Sequence, residues 1–245
     1  MADKSKIGWT EATWNPVTGC TKVSQGCKHC YAEQVFNKRL ATNPKLKRYY
    51  GRTFTDVQSH DELLDKPLHW KKPRMIFVNS MSDLFHEDVP FEFIKKVWDT
   101  MFDTSFEPHR HIYQILTKRP ARMLEFSKWM GSQFQRIDYD NVWLGVSVED
   151  QKTADERIPI LLQTPAAIRW ISAEPLLEKI DIMKFIQLDW VVVGGESGHR
   201  RRKFDIDWAR KLRDDCKVKE LPFFMKQVDK VIPIPEDLLI REYPK

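Results

Sequence analysis

The sequence predicts one α/β domain built as a partial or full β/α (TIM-like) barrel of six to seven parallel strands. Short, continuous apolar runs recur along the chain at spacings of about 20 to 40 residues, which leave room for a crossover helix after each strand. Stretches between the runs have helical patterning. The alternative is a doubly wound sheet, but the Gly-rich turn expected after its first strand is missing from this sequence. The barrel is therefore the favoured architecture.

Length and composition agree with a single folded domain over residues 1–245. The chain is 42% hydrophobic and 31% charged, so it can bury a large core, and collagen-like or disordered classes are excluded. Apolar windows stay well below the about 18 residues of a membrane span, and no apolar signal segment follows Met1. We therefore expect a cytoplasmic protein without membrane contact.

The predicted elements follow one another in a regular order. The first strand lies near residues 9–15, a loop covers 15–32, and an insertion covers about 38–73. Six further strands are predicted at 74–79, 111–117, 142–148, 168–172, 190–194 and 222–225. Helices are predicted at 91–102, 120–130 and 152–162. Polar residues follow almost every run, and in a β/α barrel these strand ends carry the chemistry.

Three of the four cysteines fall within eleven positions, at Cys20, Cys27 and Cys30. Four cysteines are too few for a secreted disulfide scaffold, so the cluster predicts a metal site. The fourth, Cys216, recurs at helical spacing with apolar residues and is expected in the core.

Three thiolates suit either zinc or an iron–sulfur cluster. A structural zinc site needs a fourth protein ligand, for which a remote His86 or His199 would have to serve, since His29 lies between two of the cysteines. A 4Fe–4S cluster held by three cysteines keeps one iron open to a small molecule. Three cysteines without a fourth favour the cluster, and zinc remains the alternative.

The run from Gly26 to Ala32 resembles the end of the radical S-adenosylmethionine signature, although six residues rather than three separate the first two cysteines. Residues 82–85, 115–119 and 145–148 resemble barrel strands of the spore photoproduct lyase-like branch. Over nearly its full length, the chain also resembles a phage-associated family of uncharacterised three-cysteine proteins. The pieces that carry this resemblance lie at 14–16, 80–85, 116–120, 143–147, 174–177, 194–198 and 224–227.

The resemblance implies a 4Fe–4S cluster and S-adenosylmethionine as cofactors, together with an external electron donor. Ser82 and Asp83 are expected to accept hydrogen bonds from the ammonium group of S-adenosylmethionine, and Lys118 to meet its carboxylate or a substrate phosphate. Ser147 and Glu149 are expected to hold the ribose hydroxyls. Two further carboxylates, Glu174 and Glu196, are either ligand contacts or structural salt bridges. No role is assigned to the Gly-Gly pair at 194–195, beyond a close approach of the backbone to a ligand.

Basic residues suggest a phosphate-bearing substrate. The formal net charge is +5, and residues 34–55 contain six basic residues and no acid, interleaved with aromatic side chains. A second basic run, 199–203, follows the sixth strand. We therefore expect a nucleobase, nucleotide, nucleic acid or other phosphorylated small molecule as substrate, and a nucleic acid modification as the activity. The rival hypotheses are a zinc-stabilised nucleic-acid-binding protein and, less in keeping with three thiolate ligands, a zinc hydrolase.

Overall fold

The computed structural model describes residues 4–106, 110–134, 140–197, 201–229 and 231–245. Within them, seven parallel strands form one curled half-barrel sheet in chain order. The strands are β1 (Ala12–Trp14), β2 (Met75–Val78), β3 (Ile112–Thr117), β4 (Val142–Ser147), β5 (Ile168–Ala173), β6 (Trp190–Gly194) and β7 (Phe223–Gln227). The predicted partial barrel is confirmed. The doubly wound alternative is wrong, because the strand order does not reverse within the sheet.

In the described part of the chain, four long helices cover the outer face of this sheet, and one short helix lies beside the third cysteine instead. They are α1 (Tyr31–Val35), α2 (Phe91–Asp103), α3 (Pro120–Phe134), α4 (Gln151–Leu162) and α5 (Ile206–Val218). A capping box begins α4, because the Asp150 side chain accepts from the Thr153 N–H at 2.7 Å. Among the described residues, none of the helices is both long and apolar enough to cross a membrane.

Alternate residues of each strand pack into two separate cores. Outward-facing Ile76 and Val78 of β2 join the core beneath the helices, which includes Val97 of α2 and Met123 of α3. Inward-facing Phe77 belongs to a second cluster inside the half-barrel. Both faces of the sheet are therefore apolar, which explains why the strands are continuous apolar runs rather than alternating ones.

The inner core is dominated by tryptophan. Trp9 precedes β1 and contacts the rings of Phe77, Trp170 and Trp190 at centroid distances of 4.7, 5.1 and 6.3 Å. Gly145 provides space for this packing, because a Cβ there would lie 2.5 Å from the Trp170 ring. The aromatic cluster fills the barrel interior below the carboxyl ends of the strands, so the open space lies above it.

The insertion predicted at 38–73 consists mainly of short turns rather than long elements. A π-helical turn, Phe36–Leu40, leads into it, and 3₁₀ turns lie at Asp61–Leu63 and Lys66–His69. Its strand Gln58–Ser59 pairs antiparallel with Val17–Thr18, just before the first cysteine. This two-stranded sheet attaches the insertion to the loop that carries the cysteines.

Two further 3₁₀ turns lie at Gln25–Cys27 and Glu236–Leu238. The first lies within the loop of residues 19–30, called the cysteine loop below. The second lies in the C-terminal segment, where Arg241 forms a bridge with Phe224 and so covers the outer edge of β7.

Candidate active site

A cavity of about 440 Å³ lies at the carboxyl ends of the strands. Its polar lining comes from residues at or just after strand ends, including Asn79, Ser82, Asp83, Lys118, Ser147, Ser172, Glu174, Glu196 and Lys226. Cys20, Cys27 and Cys30 line the same cavity. Six of the seven residues predicted to contact S-adenosylmethionine are thus among the lining residues, together with all three cysteines. The seventh, Glu149, is fully buried behind the cysteine loop.

The start of the cysteine loop is fixed by its backbone. Gly19 has a φ of 90°, and a Cβ there would lie 2.4 Å from the Asp56 carbonyl oxygen, so glycine is required for this approach. The next residue, Cys20, donates its N–H to the Phe54 carbonyl at 2.8 Å. The insertion therefore holds the first cysteine directly.

The other two cysteines lie at helical turns. Cys27 ends the Gln25–Cys27 turn, and Cys30 is the N-cap residue of α1. Burial raises the pKa of the Cys30 thiol, whereas the backbone amides of Glu33 and Ala32 and the charge of Lys118 lower it. Helix-start amides and a nearby cation stabilise a thiolate, which is the form that binds metal.

Arg119, directly after β3, connects the first cysteine to several other groups. Its Nη1 donates to Cys20 Sγ at 3.6 Å and to Asp83 Oδ2 at 3.2 Å, and its Nη2 donates to Thr21 Oγ1 at 2.9 Å. Its Nε donates to Glu87 at 2.9 Å. Burial, followed by the charge of Asp83, raises the pKa of Cys20 to about 12, and Arg119 opposes that rise.

Asp83 is saturated with protein donors. Oδ1 accepts from the Thr117 hydroxyl at 2.7 Å and from the Phe85 N–H at 3.1 Å. Oδ2 accepts from the Lys118 N–H at 3.1 Å, in addition to Arg119. This carboxylate therefore joins the end of β2 to the end of β3.

Glu149 follows β4 and Glu196 follows β6, and both contact the cysteine loop. The Gly26 N–H donates to Glu149 Oε1 at 3.2 Å, and Arg157 Nη1 donates to Glu149 Oε2 at 2.9 Å. Glu196 accepts from the Arg202 side chain and from its N–H at 2.6 Å, and its Oε2 lies 3.2 Å from His29 Nδ1. Both are partners in structural salt bridges, the alternative that the sequence left open for Glu196.

Arg202 also reaches the cysteine loop itself. Its Nη2 donates to the Gln25 carbonyl at 3.0 Å. Desolvation raises the pKa of the Glu196 carboxyl, but the hydrogen bonds from Arg202 and His29 outweigh it, and the net pKa lies below the ordinary value. Glu196 is therefore an ionised brace for the segment between Cys20 and Cys27.

Of the remaining predicted site residues, some already have hydrogen-bond or ion-pair partners within the protein and others do not. Ser82 donates its hydroxyl to the Val17 carbonyl at 2.8 Å, which ties the end of β2 to the approach of the cysteine loop. Glu174 forms an ion pair with Lys226 of β7, with Nζ to Oε2 at 2.7 Å. Lys118 lines the cavity, and across the described ranges no carboxylate lies within ion-pairing distance of its ammonium group. Ser147 lines it as well, at the end of β4.

The three thiols of the cysteine loop are a ligand set that either a 4Fe–4S cluster or a zinc ion can take. Across the described parts of the chain, no group of three or more His, Cys, Asp or Glu side chains is arranged around a single metal position. In a 4Fe–4S site each thiolate binds a different iron, so the three sulfurs need not converge on one point. Cys216 is buried in the outer core, as predicted, and is not part of the site.

Of the two remote histidines proposed as zinc ligands, His86 is already engaged by protein groups. His86 Nδ1 accepts from the Asp88 N–H at 3.1 Å, so its Nε2 carries the proton and donates to Thr21 Oγ1 at 2.8 Å. Both ring nitrogens are therefore engaged. His199 lies outside the described residues.

The first basic segment is partly neutralised by its own surroundings. Arg48 pairs with Glu62 and Arg52 with Asp56, each through contacts below 3 Å. The other four basic residues, Lys38, Arg39, Lys45 and Lys47, are exposed. Of the aromatic residues, Phe36 and Phe54 pack behind Cys20 and Cys30, and Tyr50 is the exposed one at 54%.

The second basic segment is largely structural where it is described. Arg201 pairs with Asp229 and Arg202 with Glu196. Lys203 is exposed, and residues 199 and 200 lie outside the described part of the chain. The first segment is therefore the better candidate for contact with phosphate.

Sequence reasoning missed three arginines that organise the site, Arg119, Arg157 and Arg202. Arg157 and Arg202 lie only 8 and 6 positions from their carboxylate partners. The contacts of Arg119 with Cys20 and of Arg202 with Gln25 span 99 and 177 positions, and a single sequence gives no signal for such pairs. For Arg119 one clue was available, because it belongs to the polar group that directly follows the third strand. Its proximity to Cys20 could not be read from that position.

Residues 4–235 match the family described as "Protein of unknown function (DUF5131)". None of the curated proteins matches the chain. The structure of spore photoproduct lyase complexed with dinucleoside spore photoproduct is similar, with a TM-score of 0.51 and 9% identity, covering 91% of this chain and 78% of that chain. A mutant spore photoproduct lyase with bound AdoMet and dinucleoside spore photoproduct gives a TM-score of 0.46 at 10% identity, covering 89% and 64%. The first likeness shows a shared fold, and the phage association stays a prediction.

Proposed function

The chain belongs to the DUF5131 family, and we propose that it is a radical S-adenosylmethionine enzyme that holds a 4Fe–4S cluster through Cys20, Cys27 and Cys30. One observation carries the proposal: the three thiols of the cysteine loop line a single cavity at the carboxyl ends of a parallel half-barrel. The carboxyl ends of barrel strands are where this architecture carries its chemistry.

Two further findings support this interpretation. The fold is shared with spore photoproduct lyase, of the superfamily that the cysteine loop resembles in sequence. Burial raises the pKa of both Cys20 and Cys30, and the amides of Ala32 and Glu33 and the cations Lys118 and Arg119 offset part of that rise. Groups that favour thiolates at this loop are what a cluster site needs.

When bound, the cluster supplies the electron that cleaves S-adenosylmethionine reductively, and an external donor must restore that electron. The chain's own residues bind and orient the cosubstrate. We assign Lys118 to the carboxylate of S-adenosylmethionine or to a substrate phosphate. The Lys118 ammonium group lines the cavity and, among the described residues, has no carboxylate partner. Ser147 is assigned to a ribose hydroxyl and Ser82 to the ammonium group. Asp83, whose oxygens already accept four hydrogen bonds from the protein, is assigned to joining the ends of β2 and β3.

Glu149 and Glu196 receive a different assignment, as braces of the cysteine loop. Their oxygens accept from Gly26, Arg157 and Arg202. Glu174, paired with Lys226 across β5 and β7, is assigned to substrate contact, because this ion pair lines the cavity and, in the described part of the chain, Glu174 has no hydrogen bond to the cysteine loop or its bracing arginines.

For the substrate, we propose a nucleobase, nucleotide or nucleic acid. The four exposed cations at 38–47 belong to the insertion that packs against the cysteine loop, so a phosphate backbone bound there would pass close to the cavity. The structurally similar spore photoproduct lyase was solved with a dinucleoside, which is consistent with a substrate of this class.

The proposal is tested by S-adenosylmethionine cleavage. Anaerobically reconstituted protein with dithionite should convert S-adenosylmethionine slowly to 5′-deoxyadenosine, even without substrate. Lys118→Ala should weaken S-adenosylmethionine binding by about tenfold or more, because a charge-assisted hydrogen bond contributes about 1.5–3 kcal/mol. The matched control is Lys22→Ala, since Lys22 pairs with Glu33 and does not line the cavity. Cluster-loaded protein that forms no 5′-deoxyadenosine would contradict the proposal.

A further inference from the structure

We propose that Arg119 is a positioning residue for the cluster site: it fixes Cys20 and raises the reduction potential of the cluster bound through that thiolate. The inference rests on the cluster-binding function proposed above. It concerns a residue of the chain that lies directly against one of the three sulfurs.

The contact geometry is specific to one cysteine. Arg119 Nη1 donates to Cys20 Sγ at 3.6 Å, a normal distance for a hydrogen bond to sulfur. In the described part of the chain, no hydrogen bond joins an arginine to the sulfur of Cys27 or Cys30. Arg119 therefore acts on the first cysteine alone.

Five other hydrogen bonds hold the guanidinium in place. Nη2 donates to the Thr21 carbonyl and hydroxyl at 3.2 and 2.9 Å, and Nε donates to both oxygens of Glu87. Nη1 is shared with Asp83. The side chain of Arg119 is only 5% exposed, so its position is set by these partners and not by solvent. The same residue thereby holds Thr21, the neighbour of Cys20.

The charges of Arg119 and Asp83 act in opposite directions on the Cys20 thiol, and that of Asp83 has the larger effect on its pKa. Asp83 distributes its negative charge over the Thr117 hydroxyl and two backbone N–H groups as well as Arg119. Glu87 is 62% exposed, so water screens it. Arg119 therefore offsets part of the negative field that Asp83 exerts at Cys20, and removing Arg119 would leave that field unopposed.

A positive field and an N–H donor at a ligand sulfur favour the reduced cluster. Uptake of one electron from a reductant makes the cluster with its three thiolates more negative by one charge, and no proton or bond change is involved. Hydrogen bonds to the sulfurs and nearby charge are among the factors that set the potentials of these clusters. Removing Arg119 should therefore make the cluster harder to reduce.

The test is a redox titration of reconstituted full-length protein with dithionite and mediators, followed by the EPR signal of the reduced cluster. Arg119→Gln should shift the midpoint potential to more negative values while iron and sulfide content is retained. Arg119→Lys keeps the charge but loses the fixed N–H donor, so its shift should be smaller and in the same direction. The matched control is Arg122→Gln, three residues further along in α3, because Arg122 donates to the His86 and Val89 carbonyls and not to a cysteine.

The outcomes separate this inference from the function on which it rests. An unchanged or more positive midpoint in Arg119→Gln, with wild-type iron content, would overturn the role of Arg119 and leave the cluster proposal standing. If Arg119→Gln fails to fold, an unchanged midpoint in Arg119→Lys overturns it equally. Wild-type protein without iron and sulfide after reconstitution would overturn both. A shift of the same size in Arg122→Gln would mean that the effect is not specific to the contact with Cys20.

Discussion

Charged side chains around the cysteine loop act mainly on each other and on the loop backbone. Glu149 joins Gly26 to Arg157, and Arg202 joins Glu196 to the Gln25 carbonyl. These pairs hold the loop before any ligand binds. A buried carboxylate near the site can therefore either brace the loop or contact a ligand. Its hydrogen-bond partners indicate which of the two roles it has.

Glu149→Gln tests the bracing role. The change leaves the side chain of Arg157 buried without its counter-charge, and losing one partner of a buried pair costs about 3–5 kcal/mol. Urea denaturation of the cluster-free protein should show a decrease of that order in the free energy of unfolding. Glu156→Gln on the exposed face of the same helix is the control and should change it by less than about 0.5 kcal/mol. A stable Glu149→Gln protein with weakened S-adenosylmethionine binding would instead favour the ribose contact expected from the sequence.

The sequence predicted that Glu149 lies near the cavity, but it did not predict which groups its side chain contacts. Glu149 follows the fourth strand, so a place near the cavity was predictable, yet its side chain packs under α4 because Arg157, two turns along that helix, neutralises it there. Pairing between Arg119 and Cys20 spans 99 positions. Such pairings depend on the completed fold, and one sequence contains no local pattern for them.

At the scale of elements, the strands were the most predictable feature. Their apolar runs are continuous because each strand packs into an outer core and an inner aromatic core. The first strand is shorter than predicted, since Trp9 leaves the sheet and packs in the inner core. The insertion could not be resolved into elements, because its short turns lack any helical or strand period.

Gly145→Ala tests the packing of the inner core. A methyl group at this position of β4 would lie 2.5 Å from the Trp170 ring, which the surrounding tryptophans keep from moving. Overpacking of this kind costs about 1–3 kcal/mol, which thermal or urea denaturation would measure.

The matched control for this change is Gly194→Ala on β6. Its added methyl group would meet neighbours no closer than 3.5 Å, an ordinary van der Waals distance. Equal stability of Gly145→Ala and Gly194→Ala would mean that Trp170 does not fill the space above Gly145.

At the scale of the whole molecule, the half-barrel brings residues from the ends of β2 to β7 to one cavity, where they meet the cysteine loop that follows β1. A basic insertion packs against that loop. The chain has a net charge of +5, but many cations in the described regions form ion pairs with carboxylates of the protein. The exposed group at Lys38, Arg39, Lys45 and Lys47 is the part of the insertion free to meet phosphate. This distribution was not evident from the composition.

Salt dependence tests whether that group binds nucleic acid. Each phosphate neutralised should contribute a slope of about −0.7 to −0.9 to log K against log salt. Replacing Lys38, Arg39, Lys45 and Lys47 with Ser should flatten the slope by about one for each phosphate that the variant no longer neutralises. Lys152→Ser, an exposed lysine on α4, is the control and should leave the slope unchanged. Binding to DNA and RNA that ignores salt would indicate a free nucleotide or another small molecule.

Iron and acid-labile sulfide analysis of anaerobically purified protein tests the central claim most directly. We expect about four iron and four sulfide per chain, as three cysteines can hold a cubane cluster. Cys20→Ala, Cys27→Ala and Cys30→Ala should each lose both, because each thiolate holds a different iron. Cys216→Ala should retain them, since that thiol is buried in the outer core. Stoichiometric zinc without sulfide, bound through the same three cysteines, would contradict the claim and favour a zinc-stabilised nucleic-acid-binding protein.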